Sequence, residues 1–264
     1  MDYIHANLHQ PLLLDVIADK IHVSQRQLLR IMQSILNEPL SAYVARLRVE
    51  RAVLYMQTEK MSLAKLAVMV GYDNPQSFSK AFKRQMGRSP KTYMDELQNR
   101  LIRSVSSTGN QNQISSEIHL FEGLELVYIR IIGKYGEELS YKAAWNKLIA
   151  FLEANQARSD ETRFIGLSFD DPNVTDPNQC RFYACASVEK KFTPTGEFGT
   201  ISLQKGKYAA YTLKGSYSSL QTYYDLIQVN SEYILRHGMA FEEYINYSNE
   251  KNGDQITKIY IPIN

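Results

Sequence analysis

The chain has 264 residues, a length that fits two domains of ordinary size. Its 44% hydrophobic and 22% charged residues exclude a largely disordered chain, and no apolar run approaches the ~18 residues that a membrane span needs. The net charge of +2 hides an asymmetry: residues 1–100 hold 14 Lys and Arg against 9 Asp and Glu, whereas residues 101–264 hold 16 against 19. The first part therefore favours a polyanionic partner, and the second does not.

Signals for metal, disulfide and targeting are weak. The odd spacing of Cys180 and Cys185 puts them on opposite faces of a strand and indicates neither a disulfide between them nor a shared metal. The five histidines are scattered, so we expect no metal and no cofactor. The first residues lack the basic and apolar run of a signal peptide, so we expect a cytoplasmic protein without a membrane partner.

The first hundred residues contain an internal repeat. The pattern that begins at Leu14 returns at Leu63, and each copy predicts a short helix, a tight turn and a second helix. Ser24 is a good N-cap for the second helix of the first copy, and Asn74 followed by Pro75 is a better one in the second copy. Gly71 suits the turn of the second copy, whereas His22 stands at that place in the first and predicts a turn that is either strained or wider.

The second helix of each copy has an apolar and a polar face. The apolar faces predict core positions at Leu28, Ile31, Met32 and Ile35, and at Phe78, Ala81, Phe82 and Met86. A solvated surface is the ordinary explanation of a polar face, but Arg and Gln are also the side chains that pair with guanine and adenine in the major groove. We therefore predict base contacts from the first polar face at Gln25, Arg26, Leu29 and Arg30, and from the second at Gln76 and Lys80.

A helix is predicted from Leu40 to about Glu59, since this run lacks Gly and Pro. At 1.5 Å per residue it spans roughly 30 Å, close to the ~34 Å between successive major-groove faces of DNA. One chain could then place two reading helices on duplex DNA as a monomer. The candidates for phosphate contacts are basic residues on or after this helix: Arg46, Arg48, Arg51, Lys83, Arg84 and Lys91.

This part of the chain resembles the AraC/XylS family of DNA-binding domains over about residues 1–97. The resemblance is most specific in VGYDNPQSFSKAFKRQMGRSPKTY, which ends at Tyr93. It implies seven helices and sequence-specific binding near promoters, and an activator of this kind is expected to contact RNA polymerase. By position it implies base reading by Arg26, Leu29 and Arg30, and by Pro75, Gln76, Ser77 and Lys80.

Residues 104–117 are polar and rich in Ser, Asn and Gln, so we interpret residues 101–117 as a linker between domains of residues 1–100 and 118–264. The second domain alternates β-rich runs with helical stretches. Its Gly133-Lys134-Tyr135 matches Gly215-Ser216-Tyr217, and residues 164–172 match residues 241–249. The predicted fold class is therefore α + (α+β): an all-α double helix-turn-helix domain followed by a duplicated β-α-β-β domain, which the resemblance described below identifies as an effector-binding domain.

Glu242 stands out in the second copy, because the aligned residue of the first copy is Ile165. A carboxylate at an apolar place must be paired, protonated or reserved for a ligand. If it stays charged among aromatic rings, the complementary ligand is an amphipathic cation. Glu243 should point to the other face of the strand and serves as a control.

The second part resembles the GyrI-like effector-binding domain over about residues 118–264, on the G-x-Y turn, Ala144-Trp145, the Gly166–Pro172 strand end, Phe241–Tyr244 and the terminal Ile259–Ile263. The order of the two domains resembles the Rob type of regulator. The resemblance implies a stress or multidrug response and a pocket carboxylate at Glu242. The aromatic residues predicted to line the same pocket are Trp145, Tyr135, Phe169 and Tyr244.

Three functions remain open at this point. The first is a DNA-binding transcription regulator, an activator controlled by a small apolar or cationic effector, and not an enzyme. The second is a small-molecule hydrolase in which Glu242 acts as a base, although no nucleophile–base spacing supports it. The third is a protein-binding module that works without a ligand.

Overall fold

A computed structural model describes residues 2–36, 38–58, 61–107, 115–172, 175–189, 193–230, 233, 238–247 and 255–264. The chain divides into two compact units, Met1–Ile102 and Arg103–Asn264. The first is helical and the second combines a sheet with helices, as the sequence predicts for a mixed α and α+β chain. None of the helices among the described residues has the length and apolar character needed to cross a bilayer.

The helical part of the chain contains seven helices among its described residues. They are α1 (Asp2–Ala6), α2 (Leu14–Asp19), α3 (Gln25–Leu36), α4 (Leu40–Thr58), α5 (Leu63–Met69), α6 (Pro75–Met86) and α7 (Pro90–Ser107). The central helix α4 has 19 residues, or about 28 Å of length, in agreement with the predicted helix from Leu40. Its residues Val49, Ala52 and Val53 are completely buried, because helices pack against it from both repeats.

The interpretation of residues 101–117 as a linker is too wide. Helix α7 continues to Ser107, and the first strand begins at Ser116. The polar composition of this segment does not prevent a helix, since Arg has a high helix propensity and Ser an intermediate one. Residues 108–114 lie outside the described residues.

The sheet-rich part contains eight strands and two α-helices among its described residues. They are β1 (Ser116–Phe121), β2 (Leu124–Ile132), α8 (Glu138–Ala154), β3 (Phe164–Ser168), β4 (Arg181–Ser187), β5 (Phe198–Leu203), β6 (Gly206–Lys214), α9 (Leu220–Asn230), β7 (Phe241–Tyr244) and β8 (Ile256–Pro262). The strands form one antiparallel sheet in the order β1-β6-β8-β7-β3-β4-β2-β5. Strands β3 and β7 are therefore neighbours at its centre.

The two faces of this sheet carry different cores. Helix α8 packs through Leu148 and Leu152 against one half of the sheet, and α9 packs through Ile227 against the other half on the same face. The opposite face has a separate aromatic cluster, in which the rings of Phe121 (β1) and Phe241 (β7) lie 5.0 Å apart. Because two strands separate β1 from β7, this contact requires the sheet to curl strongly around that cluster.

Candidate functional site

The two candidate reading helices begin with the predicted caps. Ser24 Oγ accepts a hydrogen bond from the Gln27 N–H at 3.2 Å, and the Gln27 side chain accepts one from the Ser24 N–H at 3.0 Å, which together form a capping box for α3. Asn74 Oδ1 accepts from the Ser77 N–H at 2.8 Å at the start of α6, where Pro75 is the first helical residue. The caps fix where each helix starts and which side chains its first turn presents.

The residues predicted to contact bases lie on the open sides of these two helices. Gln25, Arg26, Leu29 and Arg30 are exposed on α3, and Gln76, Ser77 and Lys80 are exposed on α6, with Pro75 half-buried. Leu28, Phe78 and Phe82 on the opposite sides are buried to 1% exposure or less. Each helix thus combines a buried apolar side with an accessible polar one.

The predicted core face of α3 is wrong at two positions. Ile31 is 38% exposed and Ile35 is 62% exposed, whereas Leu28, Met32 and Leu36 are buried. Helix α3 packs through one narrow row of side chains, Leu28, Met32 and Leu36, that are four residues apart. Ile31 and Ile35 each lie one residue before a member of this row, so their side chains turn away from the contact. On α6, Ala81 and Met86 are half-buried.

Three of the arginines proposed for phosphate contacts have partners inside the protein. Arg46, with a side chain 17% exposed, hydrogen-bonds Glu38 at 2.6 Å and Glu50 at 3.1 Å. Arg48 donates to the Leu8 and Gln10 carbonyl oxygens at 2.9 and 2.8 Å, and Arg51 donates to His5 O at 3.3 Å. These guanidinium groups hold α4 to other elements, which gives them a structural role. The other phosphate candidates, Lys83, Arg84 and Lys91, are exposed.

In the sheet-rich unit the site forms around Glu242 in β7. Gly166 of β3 and Ile259 of β8 lie directly opposite it on either side, and its side chain is on the face that carries α8 and α9. Glu242 is only 3% exposed. Three hydroxyl groups donate to its carboxylate: Tyr244 at 2.6 Å, Tyr224 of α9 at 3.1 Å and Ser168 of β3 at 3.4 Å.

Burial raises the pKa of Glu242 above its ordinary value, and the hydrogen bonds from Tyr244, Tyr224 and Ser168 oppose that rise only in part. The same burial, together with the nearby carboxylate, raises the pKa of Tyr224 and Tyr244, so both phenols stay protonated donors. The site therefore holds one buried acid whose charged form lacks the solvation that water gives to an exposed carboxylate.

The absence of a side chain at Gly166 in β3 lets this hydrogen-bond network form. A Cβ on Gly166 would overlap the hydroxyl of Tyr244 and the ring of Phe182. Tyr244 reaches the carboxylate of Glu242 only because the neighbouring strand has no side chain at this point. The glycine of the Gly166–Pro172 strand end thus has a direct steric reason to be there.

The alignment of Glu242 with Ile165 is wrong, because the two side chains lie on opposite faces of the sheet. Ile165 lies opposite Glu243 and packs in the aromatic cluster on the other face, whereas Gly166 lies opposite Glu242. A shift of one residue reverses the face of a strand, which an alignment of letters does not register. Glu243 does point away from Glu242, as predicted: it accepts two hydrogen bonds from Arg163, at 2.5 and 2.8 Å, and one from Tyr260 at 3.0 Å.

The predicted pocket residues divide between the two faces. Trp145 packs edge-on against Tyr244 with centroids 5.7 Å apart, and Tyr135 belongs to the same cluster. Phe169 is wrong as a member of this site, because it packs on Tyr183 at 4.4 Å in the cluster on the opposite face. It directly follows β3 and keeps the alternation of that strand, so it lies on the same face as Ile165 and Leu167.

Sequence reasoning missed Ser168, Tyr224 and Tyr217 as members of the site. Among 18 tyrosines no spacing singles out Tyr224, since its role depends on how α9 lies over β7. For Tyr217 a signal existed, because the G-x-Y repeat aligns it with Tyr135. A surface depression of about 260 Å³ lined by Arg130, Lys147 and Glu197 lies elsewhere, beside α8.

The chemistry of the described residues includes no metal cluster: no three His, Cys, Asp or Glu side chains in these ranges are grouped to hold an ion. Cys180 and Cys185 are buried free thiols. Burial raises the pKa of the Cys185 thiol, which removes its reactivity as a nucleophile.

Comparison with known proteins matches both halves of the chain. A family described as "GyrI-like small molecule binding domain" matches residues 115–264, and a "Helix-turn-helix domain" matches residues 17–96. The transcriptional regulator AlkR of Acinetobacter baylyi is 34% identical over 93 residues, which cover 35% of this chain and 30% of AlkR. The regulatory protein SoxS of Escherichia coli is 30% identical over 95 residues, which cover 36% of this chain and 89% of SoxS.

Among solved structures, a transcriptional regulator from Chromobacterium violaceum with an AraC-type DNA-binding domain is 27% identical, with a TM-score of 0.35, and the match covers 36% of this chain and 86% of that one. The chain spans about a third of the length of AlkR and of the Msm operon regulatory protein of Streptococcus mutans. AlkR is named as a transcriptional regulator, and the Streptococcus mutans protein is named as an operon regulatory protein.

Proposed function

Because the chain belongs to the GyrI-like family of small-molecule-binding domains and begins with an AraC-type helix-turn-helix domain, we propose that it is a sequence-specific transcription regulator controlled by a small effector. The observation that carries the DNA-binding part is the pair of capped helices α3 and α6, each with an accessible polar side. The effector is proposed to be an amphipathic cation, and the regulator an activator in a stress or multidrug response.

The two reading helices support binding to promoter DNA. Arg26 and Arg30 on α3 and Gln76 and Lys80 on α6 are exposed and lie in the first half of their helices, the part that enters a major groove. Helix α4 supplies about 28 Å of rigid length between the two repeats. We propose that one chain occupies two successive major-groove segments as a monomer, with base contacts from Gln25, Leu29, Pro75 and Ser77 as well.

The proposed phosphate contacts are now restricted to Lys83, Arg84 and Lys91. These three are exposed, whereas Arg46 and Arg48 already hold protein groups. We further propose that the bound regulator contacts RNA polymerase and acts in the cytoplasm, where promoter DNA is. The proposed DNA-binding domain is residues 1–100 and the proposed effector domain is residues 118–264, extended at its start to Ser116.

For the sheet-rich unit we propose a duplicated β-α-β-β origin. The order β2-α8-β3-β4 is followed by β6-α9-β7-β8, and an equivalent hydrogen bond supports the pairing of the copies. The Arg181 N–H donates to Asp170 at 2.6 Å in one copy, and the Ile256 N–H donates to Asn246 at 2.7 Å in the other. On this proposal Glu242 lies where the two copies meet, between their helices.

The effector proposal rests on Glu242. A carboxylate that is 3% exposed and surrounded by Tyr244, Tyr224 and Trp145 favours a ligand that brings positive charge and flat apolar surface. Burial deprives the Glu242 carboxylate of solvation by water. A bound cation would stabilise its negative charge instead, because the carboxylate and the cation would lie together in one poorly solvated site.

The test is genome-wide mapping of bound sites with and without tetraphenylphosphonium, followed by footprinting on one bound promoter. We expect protected segments about one helical turn apart, and occupancy or transcription that changes with the cation. A footprint of only about five base pairs, or complexes that form only from two chains, would contradict the proposed mode of binding.

A further inference from the structure

Two tyrosines occupy matching turns in the sheet-rich unit. Tyr135 follows Gly133, and Tyr217 follows Gly215; both glycines have positive φ, of 149° and 130°. Each glycine N–H donates to the residue just before a strand, Gly133 to Cys180 O at 2.9 Å before β4 and Gly215 to Gln255 O at 2.8 Å before β8. The backbone therefore delivers the two phenols from equivalent places.

The hydroxyl of Tyr135 is fully used by the backbone. It accepts from the Asp170 N–H at 3.0 Å and lies 3.0 Å from the Arg181 carbonyl oxygen, to which it can donate. This hydroxyl ties the end of β3 to the start of β4. It is therefore a structural group and has no capacity left for a ligand.

The hydroxyl of Tyr217 is different. Its oxygen is buried, yet among the described residues it has no hydrogen-bond partner. The ring packs edge-on against Tyr244 with centroids 5.1 Å apart and belongs to the cluster beside Glu242. Enclosing a phenol without a partner costs free energy, which a ligand in the same site would recover.

The hydroxyls around Glu242 have distinct tasks. Those of Tyr244, Tyr224 and Ser168 donate to the carboxylate. They stay bonded to Glu242 while it binds the positive end of the effector, and are not available to the rest of the ligand. Tyr217 is close enough to that carboxylate that, after burial, its charge is a further cause that raises the pKa of Tyr217. A protonated phenol is a hydrogen-bond donor.

We propose that Tyr217 determines specificity by donating a hydrogen bond to an acceptor atom of the effector, so that the site selects amphipathic cations that also carry a carbonyl or ether oxygen. This inference rests on the proposed effector site at Glu242. It adds a second requirement to the positive charge, at a fixed place next to the Tyr244 ring. A site that reads both features rejects cations that lack the acceptor, because Tyr217 would then stay unpaired.

The experiment compares two probes of matched shape, (4-acetylbenzyl)triphenylphosphonium and (4-ethylbenzyl)triphenylphosphonium, by calorimetric titration of the full chain. We expect the wild-type chain to bind the acetyl probe more tightly. Tyr217→Phe should weaken the acetyl probe about three- to tenfold and leave the ethyl probe unchanged. Tyr223→Phe is the matched control, since its hydroxyl donates to the Thr212 backbone oxygen of β6 at 2.9 Å and its ring packs in the separate cluster that contains Ile227.

The outcomes separate this inference from the proposed function. If Glu242→Gln weakens both probes but Tyr217→Phe weakens neither, or both equally, the effector site stands and the role of Tyr217 is refuted. If the wild-type chain binds neither probe, the proposed cation site fails, and the inference fails with it. Loss of the acetyl preference in Tyr217→Phe alone, with the Tyr223→Phe control unchanged, supports the inference.

Discussion

At the scale of single residues, Glu242 and Glu243 show how one strand holds two acids in different ways. Glu243 faces Arg163, which neutralises it with two hydrogen bonds. Glu242 faces only neutral hydroxyl donors among the described residues, so its burial is not balanced by a positive charge. The first acid stabilises the fold, whereas the second is kept at a cost that a cationic ligand can offset.

The stability of the chain should reveal this difference through its pH dependence. The unfolded chain loses the Glu242 proton near the ordinary pKa of 4.5, whereas the folded chain keeps it to higher pH because burial raises the pKa. Above pH 4.5 the folded state therefore binds more protons, and Glu242 lowers the free energy of unfolding as the pH rises. We expect Glu242→Gln to gain stability over the wild type progressively from pH 4.5 to 7 in urea unfolding.

The control for this prediction is Glu243→Gln, which should lose stability at neutral pH because Arg163 is left without its partner. A difference between Glu242→Gln and the wild type that stays constant with pH would mean that Glu242 titrates alike in the folded and unfolded chains.

Arg30 and Lys83 should differ in how they affect DNA binding. Arg30→Ala is expected to cost ~1–3 kcal/mol and to relax base preference at one position, since a guanidinium pairs with a base edge. Lys83→Ala should weaken binding on all sequences alike and reduce the salt slope by about 1, as loss of a phosphate contact does. Titrations on a bound promoter and on its single-base variants measure both effects. Uniform weakening by Arg30→Ala would assign it to the phosphates.

At the scale of elements, the two helix-turn-helix repeats differ most in their turns. Gly71 has φ of 90°, and a Cβ there would overlap the Leu8 carbonyl oxygen and the Arg48 guanidinium. His22 stands at the same place in the first repeat and also has a positive φ, of 54°. A residue with a Cβ is strained in this region, and glycine is not.

We expect His22→Gly to raise the free energy of unfolding by up to about 1 kcal/mol through relief of this strain. Gly71→Ala should act in the opposite direction and more strongly, because both the φ and the contact with Leu8 O oppose a side chain. Thermal unfolding followed by helical circular dichroism measures both variants. A loss of stability in His22→Gly would show that the imidazole makes contacts worth more than the strain.

Sequence patterns predicted the elements whose limits are set by residues close to them in the sequence. The span of α4 follows from a run without Gly or Pro, and the start of α6 follows from Asn74 and Pro75. The failures concern orientation: Ile35 turns out to the solvent and Phe169 to the other face of the sheet. Which face a side chain takes depends on contacts with residues distant in sequence, and the local hydrophobic pattern carries no information about those contacts.

At the scale of the whole molecule, the chain contains two compact units with separate cores. Their ligands are proposed to be different as well, duplex DNA for the helical unit and an amphipathic cation for the sheet-rich unit. A ligand that binds one folded unit stabilises that unit directly. The shift of each unit's unfolding transition with its own ligand therefore tests whether the two units unfold independently.

We expect two unfolding transitions in calorimetry of the full chain. The acetyl probe, at 100 times its Kd, should stabilise the sheet-rich unit by about 2.7 kcal/mol and raise only its transition. A duplex with a bound promoter site should raise only the transition of the helical unit. A single transition that both ligands shift would instead show that the units unfold together.

The glycine opposite Glu242 has a consequence for stoichiometry. A second acid at Gly166 would displace the network around Glu242, because a Cβ there overlaps the Tyr244 hydroxyl and the Phe182 ring. On the proposed duplication, Glu242 is then the one acid that the described residues place on this face where the two copies join. If the proposed cationic effector binds at Glu242, we expect a single orientation and one molecule to each chain, because a second positive end has no matching acid among the described residues on this face.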